Sequence, residues 1–213
     1  MCAALCAIYG SSHATILTFG GLNLSNYGEI SSSYGDRVTD TGSAPTGTYE
    51  QGNGWTASIV TDYQAVDTNG VVYDDNLLYW DTGYGDLSDV AFVPVSGTYA
   101  RIILTADAGM LVRLNSFDLG GYPGSDLEAD SITVKDGNGN VLWSASDLTV
   151  IGSGGHSTYT PNLVANQLVL EWGTNWNIAI DNVNFDEADV VPEPATLALL
   201  GLGLAAIAKR RRR

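Results

Sequence analysis

The apolar residues of this chain alternate in short runs, broken by glycine and asparagine at roughly ten-residue intervals. A period of two places successive side chains on opposite faces of a strand, whereas a helix needs apolar residues three and four apart. No long segment shows that helical period. The clearest unit is "SITVKDGNGNVLWSAS". Ile132 and Val134 alternate into a Gly/Asn turn, and Val141 and Trp143 alternate away from it, which predicts a β-hairpin. Similar runs predict strands over Thr15–Phe19, Thr56–Val60, Ser88–Val95, Tyr99–Ala106, Leu111–Phe117, Ser131–Lys135, Val141–Ser144, Gln167–Trp172 and Asn177–Phe185. A body over residues 15–190 suits a single all-β domain, a β-sandwich of jelly-roll type. The Gly-, Ser-, Thr- and Tyr-rich stretch from Leu22 to Gly54 predicts long surface loops.

Charge divides the chain sharply. Of nine Lys and Arg residues, five are Lys209 to Arg213, and the body keeps only Arg37, Arg101, Arg113 and Lys135. Against them stand 23 of the 24 acids, so the body carries a net −19. Such a surface repels nucleic acid and anionic lipid and keeps the protein soluble by self-repulsion.

Both ends read as addresses. Thr196 to Ala208 is an uncharged run of Leu, Ala, Gly, Ile and Thr, shorter than the roughly 20 residues that span a bilayer. Pro192 and Pro194 hold Val191 and Glu193 out of a helix, so a short hydrophobic helix starts after them. Lys209 to Arg213 then place positive charge at its C-terminus, where the helix dipole favours it and long stems can snorkel. At the other end, Cys2 to Tyr9 is apolar and Ser12-His13-Ala14 resembles a small-residue cleavage site before Thr15. Residues 1–14 therefore read as a truncated secretory signal peptide. Its removal takes both cysteines, Cys2 and Cys6, and leaves no disulfide to stabilise the body.

The order Val191-Pro192-Glu193-Pro194, apolar helix, arginine cluster resembles the PEP-CTERM sorting signal of Gram-negative bacteria, here over residues 191–213. That resemblance implies recognition by an exosortase, a transient membrane anchor through the helix, and export to the cell surface or extracellular matrix. "LVRLNSFDLGGYPGSD", the "DGNGN" turn and the closing "NIAIDNVNF" together resemble a galactose-binding-like jelly roll. This second resemblance implies carbohydrate binding, with extracellular polysaccharide as partner, and a structural calcium near the first and last strands.

Individual residues support those expectations to different degrees. In "NIAIDNVNF", Ile178 and Ile180 share one parity and Val183 and Phe185 the other. The slip at Asp181-Asn182 predicts a bulge and makes Asp181 the candidate calcium ligand. "DGNGNVLWSASD" has acidic and amide residues at calcium-loop positions, but Val141 stands where that loop needs Gly, so a hairpin explains it better. For a sugar platform, "LLYWDTGYGD" offers Tyr79, Trp80 and Tyr84 in an expected loop, and Tyr122 follows a glycine pair. Trp143 and Trp172 read as core, whereas Trp55 and Trp176 fit either role. Catalysis finds little support: His156 in "GSGGHSTYT" has no acid beside it in sequence, and no nucleophile elbow or metal-hydrolase motif is present. The sequence thus favours a non-enzymatic carbohydrate-binding protein, with a polysaccharide hydrolase or lyase and a purely structural matrix component as alternatives.

Overall fold

The computed structural model describes residues 14–39, 54–93, 95–173 and 177–189. In chain order the strands are β1 (Thr15–Leu17), β2 (Ile59–Asp67), β3 (Val72–Asp74), β4 (Leu78–Tyr84), β5 (Leu87–Phe92), β6 (Thr98–Ala106) and β7 (Met110–Gly121). They continue with β8 (Leu127–Glu128), β9 (Ser131–Asp136), β10 (Val141–Ser144), β11 (Thr149–Val150), β12 (Ser157–Tyr159), β13 (Leu163–Ala165), β14 (Gln167–Gly173) and β15 (Ile178–Asp189). No helix occurs among the described residues. The expected C-terminal helix, the sorting motif Val191–Pro194 and residues 1–13 lie outside them.

The strands form a sandwich of two antiparallel sheets. One runs β12-β7-β15-β5-β4, with β1 paired to β15 and β13 to β7; the other runs β10-β9-β14-β6-β2-β3. β8 and β11 form a small separate pair. Alternation explains the packing. In β14, Leu168, Leu170 and Trp172 are buried, and the Trp172 indole N–H donates to the Ile178 carbonyl at 3.2 Å. In β6, Ala100, Ile102 and Leu104 turn to the same core. Leu114, Leu119, Ile180 and Phe185 meet them from the other sheet, and non-directional burial of these apolar faces holds the layers together.

The hairpin of β9 and β10 forms as expected. The Asp136 carboxylate accepts the backbone N–H groups of Asn138 and Asn140, both at 2.9 Å, which makes it a turn residue. The bulge also forms. Asp181 pairs with Asp118 and Asn184 with Ser116, so Asn182 and Val183 together oppose Phe117, with Asn182 at φ 52°. The extra residue lets Ile180 and Val183, of opposite parity, enter one core.

Two expectations are corrected. "LLYWDTGYGD" is not a loop: most of it is strand β4, paired with β5 from Leu78↔Phe92 to Tyr84↔Leu87. The stretch after Leu22 is irregular but not merely superficial, because Leu22, Ile30, Tyr34 and Val38 are buried. It is tied down by polar groups that need partners once buried. The Phe19 N–H donates to the Tyr34 hydroxyl at 2.9 Å, and the Tyr63 hydroxyl donates to the Tyr34 carbonyl at 2.7 Å.

Candidate functional site

Strand β4 sorts its aromatic side chains between two faces. Tyr79 joins the core between the sheets, while Leu78 and Trp80 pack on a second cluster of Tyr84, Leu87, Val90, Phe92 and Ala179. That cluster draws only on the seven-stranded sheet and so lies on its outer face. Tyr122, just beyond β7, packs there too. Its ring centroid is 5.1 Å from that of Tyr84 and 5.8 Å from that of Trp80. The Tyr122 ring also covers Gly83 (φ 98°), where an added Cβ would come within 2.8 Å of it.

Tyr27 completes the face. Its ring meets Trp80 edge-on at 5.0 Å, and the residue is 59% exposed. The segment bearing it is fastened to β4: the Tyr27 N–H donates to the Tyr79 carbonyl, and the Tyr79 N–H to the Gly28 carbonyl, each at 2.9 Å. Asn26 and Asp81 exchange two further bonds of 2.9 Å. Sequence reading missed Tyr27 because it sits in a stretch without strand alternation; its one signal was an aromatic beside Gly28.

Of the expected platform residues, Trp80, Tyr84 and Tyr122 come together, with Tyr84 fully buried beneath the others. Tyr79 does not join them. It is buried on the opposite face, its hydroxyl donates to Asp89, and burial with that bond pushes its pKa up to about 12. Trp172 lies in the core and Trp143 packs against its edge, edge-on to Phe117 at 6.2 Å. Trp55 is half-exposed, and Trp176 lies outside the described residues.

Beside the aromatic face is a polar pocket of about 370 Å³, with Asp86, Leu87, Asp89, His156, Asp181 and Asn182 among its walls. Leu87 belongs to both the pocket and the aromatic cluster, so the two are contiguous. His156 acquires acids from distant segments: its Nδ1 lies 2.7 Å from Asp86 Oδ1 and its Nε2 3.6 Å from Asp118 Oδ2. The bond from His156 holds Asp86 below the usual carboxylate range. The His156 loop is anchored on Asp126, which accepts the N–H groups of Gly152 and Ser153 and the Ser153 hydroxyl.

Asp181 has the opposite environment. It is 6% exposed, and burial pushes its pKa up to about 7; the Asn182 N–H opposes the shift while Asp118 and Asp89 reinforce it. Phe19, Asp89 and Asn182, with φ of 53°, 60° and 52°, are non-glycine residues in the left-handed region around this pocket. Each such residue costs on the order of 1 kcal/mol, which the surrounding packing must offset.

Calcium takes six to eight oxygen ligands. At Asp181 the neighbouring oxygens are already engaged: Asp118 Oδ1 accepts the Thr158 hydroxyl and its Oδ2 the Asn182 amide. Among the described residues, no group of three or more His, Cys, Asp or Glu side chains is placed to hold a metal.

The PEP-CTERM protein-sorting motif matches residues 190–213. The chain carries an exosortase sorting signal. That motif implies an exported protein bound for the cell surface of a Gram-negative bacterium. No curated protein matches the chain. Among solved structures, the enzymatically active domain of tailspike protein 4 from bacteriophage CBA120 is similar at 20% identity, covering 61% of this chain and 19% of that one. Its TM-score is 0.26, and at that value the likeness carries no argument about fold or function.

Proposed function

We propose that this exosortase-sorted protein is a non-enzymatic, carbohydrate-binding component of the cell surface or extracellular matrix. In this reading its sandwich is a galactose-binding-like jelly roll, and its tail anchors it to the membrane before processing. One observation carries the binding role: Tyr27, Trp80 and Tyr122 form a joined aromatic face outside the main core. Flat rings offer stacking surface to the apolar faces of sugars, and the Asn26–Asp81 pair beside them supplies polar groups that fix orientation. Polysaccharide affinity electrophoresis of the full chain tests the reading. Trp80→Ala should weaken binding roughly tenfold or more, equivalent to about 1.4 kcal/mol. Unchanged migration of wild type in every polysaccharide would leave a purely structural matrix component.

The alternative is a polysaccharide hydrolase or lyase. It is favoured by His156 standing between Asp86 and Asp118 while nearby Asp181 titrates near neutrality, since opposed carboxyl environments suit acid–base chemistry. Release of new sugar ends by wild type, abolished in His156→Ala, would replace the binding role with this one.

A further inference from the structure

The three rings of the aromatic face do not form a flat strip. Trp80 meets Tyr27 at an interplanar angle of 89° and Tyr122 at 75°, so it shares a plane with neither. The rings beneath fix that arrangement. Phe92 packs against Trp80 at 6.0 Å and against Tyr27 at 5.9 Å, and Tyr84 lies 5.1 Å from Tyr122. A crystalline array of sugar chains presents one plane and needs coplanar rings to stack on, whereas a single sugar needs the face of one ring.

Charge around the face is of one sign. Asp81, next to Trp80, and Asp86, in the turn after β4, are both exposed, and exposed Glu29 is bridged to Leu78. The bond from Asn26 holds Asp81 below the usual carboxylate range, so it is ionised at neutral pH. The body's four Lys and Arg residues lie elsewhere. Arg101 and Lys135 bond Glu171 on the other sheet, and their buried neighbours Ala100, Ile102 and Val134 show that they face outward from it. Arg37 bonds Asp107, before β7 begins. Arg113 stands nine residues from Tyr122, roughly 25–30 Å of extended chain. At about 0.1 M salt the Debye length is ~10 Å, so charge at that range is largely screened while Asp81 acts at contact. His156, a further basic side chain on this side, is bonded to Asp86.

Resting on the carbohydrate-binding reading above, we propose that this face takes a neutral glycan from solution, one sugar on one ring, and rejects polyanionic and crystalline polysaccharides. The two exclusions have separate causes. Ring angles exclude the crystalline surface, because Trp80 and its neighbours cannot stack on one plane together. Charge excludes the polyanion. A carboxylate or sulfate brought against Trp80 meets Asp81 with no Lys or Arg close enough to pair with it. A neutral sugar brings hydroxyl groups, which donate to a carboxylate. The net −19 of the body repels polyanions over its whole surface, so the local share must be separated from the global one.

Affinity electrophoresis and pull-downs on the full chain, with a chelator present, test this. The probes are soluble neutral glucan, galactan and mannan, soluble alginate and hyaluronan, and crystalline cellulose and chitin. At least one neutral polymer should bind, with affinity changed less than about twofold between about 0.02 M and about 0.5 M salt. Both polyanions should bind at least about tenfold more weakly at the lower salt, and neither crystalline solid should retain the protein. Asp81→Asn should raise the ratio of polyanion to neutral affinity by about threefold or more. Asp74→Asn changes the net charge equally from exposed β3 and should leave that ratio as it is. Polyanions bound as tightly as the neutral polymer would overturn the selection while leaving carbohydrate binding intact. Retention on cellulose or chitin that Trp80→Ala abolishes would overturn the single-sugar geometry and leave binding intact as well. Equal ratios in the two variants would overturn the local role of Asp81. Binding of no polymer at all would overturn the binding role and this selection with it. Should Asp81→Asn fail to fold, the wild-type comparison of neutral with polyanionic polymers still decides.

Discussion

Asp181 on β15 stands directly opposite Asp118 on β7, at the last paired position before the bulge, and both are buried. Two carboxylates so placed resist ionising together. The cross-strand partner is one cause of the raised pKa of Asp181, after burial itself.

A pH profile of stability follows. In the unfolded chain Asp181 ionises near 3.8, and in the folded protein at about 7. Between those values the folded state holds a proton that the unfolded state has lost, so this site favours folding most at low pH. Its contribution is lost as pH rises through about 7. At about 1.4 kcal/mol per pH unit the span bounds the effect near ~4 kcal/mol, and water entering the pocket brings it to about 2. Asp181→Asn should therefore be more stable than wild type above neutrality, by about 4–8 °C in Tm, with the gap closing towards pH 4. Parallel Tm profiles for the two proteins would contradict this.

The second ion cluster behaves in the reverse sense. Glu171 on β14 is 6% exposed, and burial works to raise its pKa; bonds from Lys135 at 2.6 Å and Arg101 at 2.8 Å outweigh it and hold the carboxyl low. That stabilisation is present above the ordinary Glu range and disappears as pH falls through the lowered value. Arg101→Met should cost about 1–3 kcal/mol, because it strands part of a buried charge. Removing Lys135 as well should cost more than the sum, and adding Glu171→Gln should recover most of the loss. Urea midpoints at neutral pH measure each step; strict additivity would mean that the three residues do not act as a unit.

The sandwich was legible in the sequence wherever one strand face is apolar and the other polar. Ile132, Val134 and Leu168 announce their strands because the residues on either side of each are turned partly to solvent. The bulge at Asp181 was legible for the same reason, as a break in parity that both halves of β15 make visible. Strand β4 was not, because Asp81-Thr82-Gly83 is polar and turn-like and only pairing with β5 makes it a strand. The site was less legible than the fold. His156 meets an acid 70 residues away, Asp86, and nothing local marks such a pairing. Tyr79 and Trp80 are adjacent in a strand, so at most one of them can lie on a given face, and the sequence gives no sign of which.

Their separation is open to direct test. Tyr79→Phe removes the hydroxyl that bonds Asp89 and should cost about 1 kcal/mol of stability with no change in glycan affinity. Trp80→Ala should do the reverse in relative terms, with a modest stability loss and a loss of binding. Equal loss of binding in the two variants would show that the platform includes the inner face of β4.

Gly85, in the β4–β5 turn, controls how the His156 loop meets Asp86. Its φ is 64°, and an added Cβ would fall 1.9 Å from the Gly155 carbonyl oxygen, an overlap that only backbone movement can relieve. Its N–H also donates to the Gly121 carbonyl at 3.1 Å, so the turn has no free direction in which to retreat. Gly85→Ala should therefore push the His156 loop outward and break the 2.7 Å contact between His156 and Asp86. Gly97 supplies the control, since it has φ 87° and nothing within 4 Å of an added Cβ. Gly97→Ala carries the left-handed strain alone, about 1 kcal/mol, and Gly85→Ala should lose about 1–3 kcal/mol more. Asp86 should also lose the depression that His156 gives it, raising its titration midpoint in carbonyl NMR. If Gly85→Ala melts with Gly97→Ala and Asp86 titrates unchanged, the two loops are not held by this contact.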